Sequence, residues 1–270
     1  MIIQREEEIR NFVPKPYWTV DANFGDYFGT WQGKNGNRRF FDQGKANKIQ
    51  EKVKDGEGII KEVKLQDKSE PPPLAYDLTE LQRDANRRYG FSAKKTLSVL
   101  QWLYERHKLV TYPRTDSRYI TTDMVGTLGK RLDGMAAGPY ANMVKNLKQK
   151  NPGLKVTKRL VNDARVSDHH AIIPTEEPLR IEKLENDERR LYDLIARRFI
   201  TVLYPPHKYR QITIATEVNG EWFYSSGKVV LDAGWRAVAT VFQKDDDEKD
   251  KDTLPEQTLK QQKKRGEKSS

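Results

Sequence analysis

The chain contains no cysteine, which excludes disulfides, thiol catalysis and any zinc or iron–sulfur site built on Cys ligands. Its longest apolar runs are four or five residues, far short of a bilayer span. The start, "MIIQREEEIR", becomes charged within five residues and does not read as a secretory signal, so a cytoplasmic setting is expected. No GxxxxGK[ST] phosphate loop occurs. Histidine is scarce, with four in 270 residues.

Charge is plentiful. Lys and Arg total 49 against 39 Asp and Glu, a net +10 that suits a polyanionic partner, nucleic acid before a membrane surface. With 36% hydrophobic and 10% aromatic residues, the composition is lean but globular.

Residues 2–12, "IIQREEEIRNF", suggest the end of an amphipathic helix, with Ile3, Ile9 and Phe12 partly on one face. No capping signal precedes it, so the chain is expected to begin inside a larger protein. Pro14 and Pro16 then break the helix. Short β segments with Gly and Asn punctuation run to about Leu65, interrupted by a charged helix at "QGKANKIQEKVKD", and "SEPPPLAYD" marks a boundary.

Residues 77–204 read as helical. Asp77 and Ser92 are N-cap candidates and Gly90 a terminator. Leu97, Leu100, Trp102, Leu103 and Tyr104 supply an apolar face on the second helix. "TTDMVGTLGKRLDGM", "PYANMVKNLKQK" and the long "EKLENDERRLYDLIARRFITVLY" are further helices, with Leu184 toward the core. From Arg210 the pattern is β again, with a hairpin at Asn219-Gly220. The expected fold is therefore α+β: a β domain from 14–75 and 205–243, with an inserted helical domain over 76–204. The polar tail, 244–270, is expected to be disordered, and its "DDDEKDKD" is read as a solvated charge run.

Two stretches carry candidate chemistry. In "LVTYPRTDSRYI" (109–120), Tyr112 and Arg114 leave one face if the segment is extended. A phenol is only about a thousandth ionised at pH 7, so a nucleophilic Tyr needs a base, a metal or nearby positive charge. Arg114 could bind a phosphate in two-pronged fashion, Thr115 and Ser117 offer hydroxyls, and Asp116 could hold Arg114 or Arg118. The alternative is a buried aromatic beside a solvated Arg–Asp pair. In "VSDHHAIIPT" (166–175), adjacent His169 and His170 point to opposite faces and do not suit one metal. One could meet a phosphate, or both could be ordinary, partly buried imidazoles.

In order, "DLTELQRDANRRYGFSAKKTL", "LVTYPRTDSRYI" and "DHHAIIPT" resemble type IA DNA topoisomerases, most closely bacterial topoisomerase III, and "REEEIRNFVPKPYW" also looks like family sequence. The match extends to about residue 243. The resemblance implies that Tyr112 attacks a phosphate of single-stranded DNA to give a 5′-phosphotyrosine, with religation needing no ATP. It implies that Arg114 and His169 hold the scissile phosphate. Asp116 would position these groups, and Thr115, Gln101, Lys94 and Lys95 would lie on the DNA side. It further implies a toroidal enzyme whose β segments form an arch and whose helical block carries the tyrosine. The family's Mg²⁺ ligands and assisting Lys belong to a Toprim domain that does not match this chain, so no metal ligands are expected here. The chain alone is expected to be inactive. Single-stranded DNA is the expected partner, with a helicase as a further one, in a monomeric, nucleoid-associated cytoplasmic protein. The rival reading is a non-catalytic single-stranded DNA-binding module.

Overall fold

A computed structural model describes residues 2–239, 256–257 and 268–269. The chain divides into two compact units, one of residues 1–68, 209–231 and 249–270, the other of 69–208 and 232–248.

The first unit is built on a sheet. Its elements are α1 (Ile2–Arg10), β1 (Asp21–Asn23), β2 (Phe28–Trp31), α2 (Gln43–Val53), β3 (Gly58–Glu70), β4 (His207–Val218) and β5 (Glu221–Asp232). The strands lie in the order β1-β2-β5-β4-β3, so segments more than a hundred residues apart in sequence share one sheet. β1 and β2 pair antiparallel, as do β2 and β5. Asn219 and Gly220 both have positive φ, 49° and 81°, the backbone that a two-residue hairpin turn requires. Two-residue strands at Glu256–Gln257 and Lys268–Ser269 join β5 and β3; the rest of the polar tail lies outside the described residues.

The core of this unit is Phe24, Tyr27, Ile60, Ile212, Ile214 and Phe223 with their neighbours. Tyr27 is buried because its hydroxyl meets Thr216 Oγ1 at 2.8 Å. Phe223 is fully buried, so Phe223→Ala would cost about 3–5 kcal/mol. Ile3 and Ile9 on α1, and Phe12 just after it, are all exposed rather than forming one covered face.

The second unit is helical: α3 (Leu78–Tyr89), α4 (Ala93–Glu105), α5 (Leu128–Met135), α6 (Tyr140–Lys150), α7 (Asn186–Val202) and α8 (Arg236–Ala239). Asp77 accepts the Glu80 N–H and Ser92 the Lys95 N–H, while Gly90 ends α3 in the left-handed region at φ 67°. The α4 stripe that meets the core is Thr96, Val99, Leu100 and Leu103. Trp102 falls off that repeat and stays 46% exposed, contrary to the sequence expectation.

Two expected helices are shorter than their patterns. Residues 122–127 form a 3₁₀ turn before α5, with Thr122 N–H and Oγ1 both bonded to the Asp163 carboxylate and Gly126 weakening the helix. The long helix begins at Asn186 rather than Glu182, because Glu188 Oε2 accepts the Glu185 N–H and sets the start. Leu184 is buried, but ahead of the helix.

Candidate active site

Tyr112 lies in an extended connection between α4 and the 3₁₀ turn, outside any strand. Its segment alternates: Thr111, Pro113, Thr115 and Ser117 are buried, while Tyr112 is half-buried and Arg114 and Asp116 are exposed. That period of two places Tyr112, Arg114 and Asp116 on one outward face.

The inward hydroxyls do the work of a strand ladder. Thr111 Oγ1 donates to the Ala171 carbonyl at 2.9 Å and accepts the Ile173 N–H at 3.0 Å. Thr115 Oγ1 donates to the His169 carbonyl at 2.9 Å, and Ser117 Oγ to the Arg165 carbonyl at 2.8 Å. These side chains stitch the segment to residues 165–173 between two main-chain bonds, Thr111 N–H to the Ile173 carbonyl at 3.0 Å and Ala171 N–H to the Tyr119 carbonyl at 2.8 Å; Pro113 has no N–H to offer. From the other side, Leu78 N–H donates to the Thr115 carbonyl, and Ile172 N–H to the Tyr76 carbonyl.

This stitching brings His169 to Tyr112. Their ring centroids are 4.1 Å apart with planes 34° from parallel. Tyr104, one turn beyond Gln101 on α4, meets the Tyr112 ring edge-on at 5.7 Å. No hydrogen bond joins the phenol to the imidazole among the described residues, so His169 stacks on Tyr112 without acting on its proton. His169 is exposed, leaving its nitrogens open to an incoming ligand. His170 turns elsewhere: half-buried, it has its imidazole pushed below the usual range chiefly by burial, with the Ala171 carbonyl opposing.

Arg114 has no hydrogen-bond or ion-pair partner among the described residues, so its guanidinium is free for a phosphate. Asp116 also lacks an ion pair there, contrary to the expectation that it holds Arg114 or Arg118. Arg118 instead donates to the Ala75 carbonyl at 3.1 Å. Thr115 is not a DNA-facing hydroxyl either: it is buried, its one O–H donates to the His169 carbonyl, and its oxygen accepts the Ser117 N–H.

On α4, Lys94 is exposed and free of ion pairs among the described residues, and Gln101 is half-buried on the same stripe. Lys95 is engaged, with Nζ 2.7 Å from the Asp187 carboxylate and 4.3 Å from the Phe91 ring centroid. The sequence reading missed Tyr104 and Thr111. The one-turn spacing from Gln101 to Tyr104 could have flagged the first; the second depends on a partner 60 residues away.

Beneath this surface, Tyr76, Asp84 and Arg198 form a network. Arg198 Nη2 reaches Asp84 Oδ2 at 2.9 Å and the Tyr76 hydroxyl at 3.1 Å, and its guanidinium lies 4.1 Å from the Tyr76 ring centroid. Burial pushes the Tyr76 phenol far above its ordinary pKa, so it stays a neutral donor to Asp84.

Among the described residues no three acidic or histidine side chains gather where a metal ion could sit. The described residues thus offer no set that fits the Mg²⁺ the resemblance implies.

A family described as DNA topoisomerase matches residues 1–269. DNA topoisomerase 3 of Bacillus licheniformis is 50% identical over 257 residues, 94% of this chain and 35% of that protein. DNA topoisomerase 3 of Bacillus subtilis (strain 168) is 48% identical over 258 residues, with the same coverage of 94% and 35%. The chain therefore spans about a third of the length of these relatives. The solved full-length topoisomerase I from Thermotoga maritima aligns with a TM-score of 0.69 at 24% identity, covering 98% of this chain and 41% of that one, a likeness of fold. The chain belongs to the type IA DNA topoisomerase family, on its topoisomerase III-like side.

Proposed function

We propose that this chain is the tyrosine-bearing part of a topoisomerase III that cuts and rejoins single-stranded DNA through Tyr112. In the cutting step the Tyr112 oxygen bonds to phosphorus, the bond from phosphorus to the 3′ oxygen breaks, and that oxygen takes up a proton as the 3′-hydroxyl. The phenol loses its proton. Religation reverses each transfer, so the bond energy is retained and no ATP is consumed.

The observation that carries this reading is the common outward face of Tyr112 and Arg114, with the exposed His169 ring stacked on Tyr112 at 4.1 Å. Arg114 would hold the scissile phosphate and stabilise charge developing on it, with His169 as a second donor. Lys94 and Gln101 would continue the contact along α4.

No side chain of the described residues hydrogen-bonds the Tyr112 hydroxyl, so none is placed to take its proton. General acid–base help is worth about 10²–10⁴-fold. We therefore expect the chain alone to bind single-stranded DNA without cutting it, and cutting to need the Toprim domain with its Mg²⁺. In this reading the unit built on β1–β5 would serve as the arch of such an enzyme and the helical unit as its gate; residues 69–75, 205–208 and 232–239, expected with the β domain, fall in the helical unit instead. A helicase partner, a monomeric state and a cytoplasmic, nucleoid-associated location complete the proposal. No helix of the described residues is long and apolar enough to cross a membrane.

The test is denaturing capture of labelled single-stranded DNA by the full-length protein with Mg²⁺. Tyr112→Phe should abolish the adduct and spare binding. An adduct that survives Tyr112→Phe removes the nucleophile assignment. Full-length protein that binds but never forms an adduct favours the binding-module reading, which the free Arg114 and Lys94 side chains also support.

A further inference from the structure

His169 sits in a stretch with few ties. Before it, the Arg165 carbonyl accepts Ser117 Oγ; after it, the Ala171 N–H donates to the Tyr119 carbonyl at 2.8 Å. Across residues 167–170, the bond from Thr115 Oγ1 to the His169 carbonyl at 2.9 Å is the one main-chain hydrogen bond to another segment among the described residues. Among the described residues the His169 side chain accepts or donates no hydrogen bond, and its ring stacks on Tyr112 at 4.1 Å. Thr115 is in turn rigid. It is 7% exposed, its hydroxyl accepts the Ser117 N–H at 3.0 Å, and its carbonyl accepts the Leu78 N–H at 3.0 Å.

We propose that Thr115 is a positioning residue whose buried hydroxyl fixes the His169 main chain and so aligns the imidazole with Tyr112. Only Pro113 and Arg114 separate Thr115 from Tyr112, so one short segment presents the phenol outward and anchors its neighbour inward. Serine at 115 can keep both hydroxyl bonds. Valine keeps the shape but leaves the His169 carbonyl and the Ser117 N–H without their partner.

The first test does not depend on catalysis. With four histidines in the chain, proton NMR resolves each imidazole, and His169→Ala assigns the relevant one. A ring stacked on Tyr112 has its protons displaced upfield. Thr115→Val and Thr115→Ala should abolish that displacement while the other three histidines keep their shifts, and Thr115→Ser should retain it. Retention in the Val or Ala variant overturns the proposal. Unfolding of both, with a normally folded Ser variant, also overturns it in favour of a purely structural role.

The second test rests on the nucleophile assignment above and uses the full-length protein. At saturating DNA, Thr115→Val should slow adduct formation about 3- to 10-fold, the effect of one hydrogen bond, with DNA affinity unchanged. In a His169→Ala background the same substitution should slow nothing further. Equal slowing in both backgrounds refutes positioning through His169. An adduct on Tyr112→Phe instead refutes the nucleophile assignment and leaves the NMR result standing.

Discussion

Replacing Arg198 by methionine keeps most of the side-chain volume and removes the charge beneath the candidate site. In the folded chain the Arg198 side chain is 18% exposed and that of Asp84 10%, so the pair is largely desolvated. Arg198 also donates to the Leu74 carbonyl at 3.1 Å and covers the Tyr76 ring. Removing one partner of such a pair typically costs about 3–5 kcal/mol, and Asp84 would keep the Tyr76 hydroxyl and the longer contact to Arg87 Nη2 at 3.9 Å. We expect Arg198→Met to lose about 4 kcal/mol, which corresponds to roughly 8–16 °C in melting temperature. Urea unfolding followed by tryptophan fluorescence at pH 7 measures the loss. A loss below about 1 kcal/mol would refute the view of this network as a desolvated ion pair.

Other consequences are separable. Lys94→Ala should weaken single-stranded DNA binding and lower its salt slope by about 0.7, whereas Lys95→Ala should leave the slope unchanged because Asp187 already holds Lys95; binding titrations from low to high salt decide it. Gly234 has φ 50°, and an added Cβ would lie 2.3 Å from the Pro206 carbonyl oxygen. Gly234→Ala should therefore destabilise the chain by about 3 kcal/mol or more in the same urea assay. The two bonds from Thr122 hold the Asp163 carboxyl below its ordinary pKa. Its stabilising effect is present above the unfolded carboxylate pKa and is lost as pH falls through the lower folded value. Asp163→Ala should accordingly reduce stability at pH 7 and make little difference at pH 2, as read by thermal melts.

Local rules made much of this chain legible. Asp77, Ser92 and Gly90 bound their helices as capping chemistry requires, and Asn219-Gly220 makes the hairpin turn. Alternation alone placed Tyr112 and Arg114 on one face. What escaped was long-range. The partners of Thr111, Thr115 and Ser117 lie 60, 54 and 48 residues away, and no local pattern says that a hydroxyl will bond a distant carbonyl rather than face DNA. Lys94 and Lys95 look alike in sequence, and only the approach of α7 binds the second through Asp187. Asp116 follows two residues after Arg114, a spacing that suggests a pair, yet neither side chain has an ion-pair partner among the described residues.

The central claim is that the Tyr112 oxygen becomes joined to DNA. Full-length protein trapped on single-stranded DNA, digested with protease and nuclease, and sequenced by mass spectrometry tests it directly. The account predicts a nucleotide on the peptide containing residues 109–120, attached at Tyr112 through its 5′ phosphate. A nucleotide on Tyr104, Tyr119 or any other residue, or one attached through a 3′ phosphate, would contradict it.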